Sequence, residues 1–146
     1  MRALIQRVRS ASVTVDDEVV GAIDHGLLIL LGIAPEDTHK EKDWMVRKLL
    51  GLRIFPDDQG RFDRSVIDVG GSVLVVSQFT LFGDCRKGRR PNFSRAARPE
   101  LAEPMCEAVC EAFEAAGVTT ARGRFAADMK VALVNDGPVT LMIDTP

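Results

Sequence analysis

The segment Leu27-Leu28-Ile29-Leu30-Leu31-Gly32-Ile33 holds no polar side chain. Successive side chains of a strand point to opposite faces, so a strand of this composition is stable only where both faces are covered. That requirement fixes the surroundings. Arg2–Val8 alternates loosely between apolar and polar residues, and Ser12-Val13-Thr14-Val15-Asp16 alternates cleanly, as half-exposed strands do. Asp16-Asp17 forms a tight turn into Glu18–Ile23, and His25-Gly26 turns the chain into the apolar strand. Residues 1–34 therefore read as a β-meander with layers on both sides of its last strand.

The helices that can cover it come later. Thr38-His39-Lys40-Glu41 is a capping box, a hydroxyl at the N-cap with a carboxylate three residues on. It opens a helix that puts Met45, Leu49 and Leu52 on one face, with Trp44 beside them. Pro99 suits the first position of a second helix, whose Leu101, Met105, Ala108, Val109, Ala112, Phe113 and Ala116 form one stripe up to Gly117. Between the helices, Arg53–Phe55 reads as a short strand ended by Pro56-Asp57-Asp58-Gln59-Gly60, and Val73–Val76 as a buried one. Thr119–Phe125, Met129–Val134 and Val139–Ile143 read as three more strands, the last two separated by Asn135-Asp136-Gly137-Pro138. No repeat or linker divides the chain. The expectation is one α+β, β-rich domain over residues 1–146, with two helices on a curved, mainly antiparallel sheet or open barrel.

Composition narrows the chemistry. With a formal net charge of −2 the chain has no global attraction for nucleic acid, so any such contact must be local. There is no apolar stretch of membrane-spanning length and no signal-peptide core, and Cys85, Cys106 and Cys110 read as reduced thiols, which points to the cytoplasm. Two histidines, His25 and His39, stand without ligand spacing, so neither a metal site nor a Ser-His-Asp triad is expected. Phosphate-cradling glycine motifs are absent as well, and no cofactor is expected. Arg7, in an otherwise structural strand, reads from exposure preferences as a solvent-facing cation.

One stretch remains that can do chemistry. After Val73–Val76 come Ser77-Gln78-Phe79-Thr80, with Ser77 and Phe79 expected on one face of the strand and Gln78 and Thr80 on the other. The segment that follows carries Arg86, Lys87, Arg89, Arg90, Arg95 and Arg98 with no acid from Cys85 to Arg98. The residues alone are equally compatible with an ordinary strand end followed by a solvated loop. Six uncompensated cations favour phosphate contact, without distinguishing RNA from DNA.

SQFTLFGDCRKGRRPNFS (77–94) together with GRFAADMKVALVNDGPVT (123–140) resembles the two hallmark segments of the D-aminoacyl-tRNA deacylase family. The opening QRV…ASVTV, the GLLILLGI strand and LRIFPDDQGRFDRSV match in the same order, so the likeness runs end to end. Two departures stand out: Ala126 where glycine is usual, and Asn92 where serine is usual.

The resemblance implies a homodimer that hydrolyses the ester joining a D-amino acid, or glycine mischarged on alanine tRNA, to the 3′-terminal adenosine of tRNA. It implies catalytic positions at Ser77, Gln78, Phe79 and Thr80, and a Gly-cisPro pair at Gly137-Pro138 that completes the partner subunit's site and excludes L side chains. Arg7 is implied as the brace of that pair, and Phe125 and Met129 as substrate-binding residues. Arg86, Lys87, Arg89 and Arg90 are the expected tRNA-phosphate contacts. Two mechanisms are open: Thr80 as a nucleophile forming an acyl-enzyme, or backbone N–H groups near Phe79-Thr80 stabilising an oxyanion while the ribose 2′-hydroxyl assists water. The absence of a nearby base favours the second. A tRNA-binding module without turnover is the competing class.

Overall fold

The computed structural model describes residues 1–146. Its spine is β1, one unbroken strand from Arg2 to Val15 where the sequence suggested two. The alternation slips phase at its centre: Arg7 and Val8 are both buried, while Arg9 and Ser10 are both exposed. Register against the C-terminal strand β8 (Lys130–Asp144) shifts at the same place, the signature of a bulge that re-aims side chains without ending the strand.

β8 runs antiparallel along one edge of β1 from Arg2 to Thr14. A strand has two edges, so β2 (Glu18–Ile23) and β3 (Gly26–Gly32) must share the other. Ala11–Val15 pairs with β2 and Arg2–Val8 with β3. Asp16 and Asp17 both have positive φ (48° and 62°), the primed turn that suits a tight hairpin.

Beyond β3 the sheet becomes parallel. β3 pairs with β6 (Ser72–Ser77), and β6 with β7 (Thr120–Arg122). Parallel neighbours need long crossovers, and the two helices supply them: α1 (His39–Gly51) before β6, and α2 (Pro99–Ala115) after it. The sheet curls so far that β2 meets β7. A Cβ on Gly21 would collide with the Arg122 carbonyl oxygen, so the near-closure of this barrel depends on a glycine there. A small hairpin, β4 (Phe55–Pro56) with β5 (Phe62–Arg64), lies outside the main sheet. β5 is too short for its residues to show a period in the sequence.

Both faces of β3 are covered, as its composition demands. Leu27, Ile29 and Leu31 join Val73, Val75 and the helices' Met45, Leu49, Val109 and Phe113 in the larger core. Leu28 faces the inside of the curl with Val8, Val13, Leu74 and Val76. The capping box at Thr38 and Glu41 is formed, and Gly117 follows α2 at φ +82°. The buried face of α2 is rotated from the expected stripe: Ala102, Cys106 and Cys110 are buried, while Leu101 and Ala112 lie at its margin. No helix is long and apolar enough to cross a membrane.

Candidate active site

β6 ends at Ser77 instead of continuing through Thr80. Phe79–Phe82 is a turn of 3-10 helix, so the expected two-face alternation of residues 77–80 does not occur. The strand stops because its neighbour does: the last paired residue is Ser77, opposite Leu31, and the Gln78 N–H closes on the Leu31 carbonyl (2.8 Å) at the end of β3. The first N–H groups of a helical turn have no acceptor within it, so the Phe79-Thr80 segment presents donors instead of pairing them.

Beside this turn lies a cavity of about 660 Å³. One wall is Val76, Ser77, Gln78 and Phe79. The opposite wall is Phe125, Ala126, Ala127 and Met129, and the start of α2 with Arg98 and Cys106 closes the back. Two distant stretches of sequence, SQF and FAADM, thus share one apolar cavity because β6 and β7 are neighbours in the sheet. Phe79 is exposed at the cavity and packs edge-on against Phe93, with ring centroids 5.1 Å apart. Ala126 has φ +59°, a left-handed conformation that explains why glycine suits this position and places its methyl on the cavity wall.

Thr80 is not among the lining residues. It is exposed, and its hydroxyl oxygen accepts from the Gln78 side-chain amide. The cavity wall contains no histidine or lysine to take a proton, and its one carboxylate, Asp128, is held by the Lys130 ammonium at 2.9 and 3.0 Å. Cys106 is the other nucleophilic atom type on the wall. Burial, followed by the nearby Cys110, Glu103 and Glu107, pushes its thiol up to about 12, so it stays protonated and inert at neutral pH. No group of His, Cys, Asp or Glu side chains is arranged to hold a metal. The donors that remain are the Ser77 hydroxyl, the Gln78 amide, the Arg98 guanidinium and main-chain N–H groups.

Gly137-Pro138 lies elsewhere. Asn135–Pro138 is not the turn its composition suggested, because β8 continues through it in the same direction. Between the pairs Val8↔Asn135 and Gln6↔Thr140, the single residue Arg7 faces the four residues Asp136–Val139. The extra residues bulge outward, leaving Gly137 and Pro138 exposed with a cis bond between them. Asn135 closes the bulge from inside: its Oδ1 accepts from the Val139 N–H (2.7 Å) and its Nδ2 donates to Thr140 Oγ1 (2.9 Å). Asparagine favours turns because its side chain can bond nearby backbone, and here the same property locks a bulge.

Arg7 holds the other side, and it is buried rather than solvent-facing, only 7% exposed. Its Nε donates to the Asp136 carbonyl (2.8 Å) and its Nη1 to the Ile54 carbonyl (2.5 Å). These two bonds replace the water that exposure preferences predict. Strand register separates this corner from the cavity. Arg7 pairs with Leu27 of β3, while Ser77 pairs with Leu31, four residues or roughly 13 Å further along.

The basic loop is pinned at its base by a two-way backbone bridge between Asp84 and Asn92. Asp84 lies one residue before the stretch counted as acid-free, and Arg86 grips its carboxylate through two nitrogens. The Arg86 contact holds the Asp84 carboxyl well below the usual carboxylate range. Arg86 is therefore a neutralised partner, whereas Lys87, Arg89 and Arg90 are exposed and form no ion pair within the chain.

Comparison with known proteins agrees over nearly the whole chain. Residues 4–144 match the family model described as D-Tyr-tRNA(Tyr) deacylase. The chain is 56% identical to the D-aminoacyl-tRNA deacylase of Desulfatibacillum aliphaticivorans over 145 residues, 99% of each chain. It is 56% identical to that of Brevibacillus brevis, covering 99% of this chain and all of the relative. A solved structure described as a c-Myc DNA unwinding element binding protein superposes with TM-score 0.93 at 43% identity, covering 100% of this chain and 99% of that one. A probable eukaryotic D-amino acid tRNA deacylase shares the fold, with TM-score 0.87 at 17% identity, covering 99% and 98%.

Proposed function

The chain belongs to the D-Tyr-tRNA(Tyr) deacylase family and is a hydrolase of D-aminoacyl-tRNA, and from that premise we propose how its residues divide the work. The cavity beside Ser77-Gln78-Phe79 receives the 3′ end of the aminoacylated tRNA, with Phe125 and Met129 as its apolar wall. Water attacks the ester carbonyl carbon, the bond to the ribose oxygen breaks, and that oxygen takes up the proton. Main-chain N–H groups of Phe79-Thr80 stabilise the oxyanion, at about 3 kcal/mol for a good donor. The ribose 2′-hydroxyl, held beside the ester, assists the water. Thr80 serves as scaffold, since its hydroxyl is engaged by Gln78 and it does not line the cavity.

The observation that carries the rest is the position of Gly137-Pro138: exposed, braced from two sides, and about four strand residues from its own chain's cavity. A device built so carefully at the surface acts on a second copy. In a homodimer it enters the partner's cavity, holds the substrate's amino group with carbonyl oxygens and leaves no room for an L side chain. Glycine passes by the same rule. The open edge of β8 and its exposed Val134, Leu141 and Met142 suit the dimer contact. Lys87, Arg89 and Arg90 contact tRNA phosphates, with Arg86 a lesser participant because of Asp84, and the site of action is the cytoplasm.

Matched D-tyrosyl- and L-tyrosyl-tRNA test this. The wild type should deacylate only the D form, and Gly137→Ala should lose at least tenfold in rate. A Cβ there would stand 2.8 Å from Val139 Cγ2 and 3.1 Å from Arg7 Nη2, at a φ of +141° that disfavours any side chain. Binding of tRNA without turnover would favour the non-catalytic module, and full D-tyrosyl turnover by Gly137→Ala would remove the clamp.

A further inference from the structure

The buried guanidinium of Arg7 touches three separate segments. Two are the carbonyls of Asp136 and Ile54. The third is the ring of Phe62, on β5 of the small hairpin, whose centroid lies 5.5 Å from Arg7 Cζ. The nearest carboxylate, Asp136 Oδ2, is 3.9 Å from Nε, so the charge is compensated by carbonyl dipoles and an aromatic face more than by an ion pair.

Phe62 itself is 57% exposed. It belongs to neither of the two hydrophobic cores. Its hairpin is tied down independently, by Asp57 accepting from the Gln59 and Arg61 N–H groups and by the Arg64–Asp58 ion pair. The ring therefore contributes little to the hairpin's own fold. Its close partner is the cation that bonds the residue preceding Gly137.

We propose that Phe62 is a positioning residue for Gly137-Pro138, acting through Arg7. By covering the guanidinium it keeps water from competing for the Arg7–Asp136 bond and couples the β4–β5 hairpin to the bulge in β8. This rests on the reading of Gly137-Pro138 as the stereochemical clamp. The ring touches no substrate. Its effect appears in how sharply the clamp is held, hence in kcat and in discrimination between D and L substrates, more than in tRNA affinity.

The test compares Phe62→Ala, Phe62→Tyr and Gly137→Ala in the intact protein, using D-tyrosyl- and L-tyrosyl-tRNA. Phe62→Ala should lower kcat for the D substrate about two- to fivefold, the loss of a cation–π contact whose ring is half exposed, with KM within about twofold. It should also raise hydrolysis of the L substrate above the wild-type background. Phe62→Tyr keeps the ring face and should restore both. Unchanged kcat and D/L ratio in Phe62→Ala, with Gly137→Ala crippled, would overturn the role of Phe62 and leave the clamp standing. Equal damage from Ala and Tyr, or a lowered melting temperature with the D/L ratio intact, would make Phe62 merely structural. Full activity in Gly137→Ala would remove the clamp and this inference with it.

Discussion

Replacing Arg7 with lysine keeps the charge and most of the stem but removes the fork. The guanidinium reaches the Asp136 and Ile54 carbonyls with two different nitrogens, whereas a lysine ammonium is a single point that can serve one of them. The other carbonyl then loses a bond to a charged donor, a cost of about 1.5–3 kcal/mol. An unfolding entropy of about 2.1 cal/mol/K per residue gives this chain about 0.3 kcal/mol/K, so the melting temperature should fall by roughly 5–10 °C. The scans need one fixed protein concentration, because association shifts apparent stability. If the lost bond is what holds the bulge, the same free energy appears as about a 10- to 150-fold loss in kcat for D-tyrosyl-tRNA. Calorimetry and single-turnover deacylation on the same preparation separate the two effects. A variant that melts within a degree of wild type and turns over within twofold would show that Arg7 is not the brace. A variant that melts lower yet turns over normally would show that the brace does not reach the chemistry.

Three further outcomes follow from the site. Thr80→Ala should retain most deacylation, since it removes only a hydroxyl already engaged by Gln78; a fall to the no-enzyme rate would restore the acyl-enzyme mechanism. Arg89→Ala with Arg90→Ala should weaken tRNA binding and reduce the slope of log affinity against log salt by about 1–2, while an unaltered slope would move the phosphate contacts elsewhere. The thiols of Cys106 and Cys110, pushed by burial from 9.0 up to about 12 and about 11, are protonated more readily in the folded chain than in the unfolded one. Their contribution to stability is complete below about pH 9 and is lost as pH rises toward 11–12, so denaturant midpoints should fall over that window. Serine at both positions should flatten the fall, and an unchanged alkaline profile would mean the thiols do not cause it.

The sequence by itself determined the layers and the family. An apolar strand at Leu27–Ile33, a capping box at Thr38, a proline-started helix at Pro99 and paired SQFT and NDGP segments are local signals, set by side-chain periodicity and backbone chemistry within a few residues. Tertiary structure decided everything that depends on register. Whether Arg7 meets water or two carbonyls is settled by the four-residue bulge opposite it, and composition cannot announce a bulge. Asn135-Asp136-Gly137-Pro138 carries the residues of a turn, yet pairing with β1 on both sides holds β8 straight through it. Thr80 leaves the strand because β3, the direct neighbour of β6, ends at Gly32 and offers no further partner. Arg86 is quieted by Asp84, which stands just outside the run in which the cations were counted. The β4–β5 hairpin is too short to show a period at all, and only the fold brings Phe62 over the guanidinium that braces Gly137-Pro138.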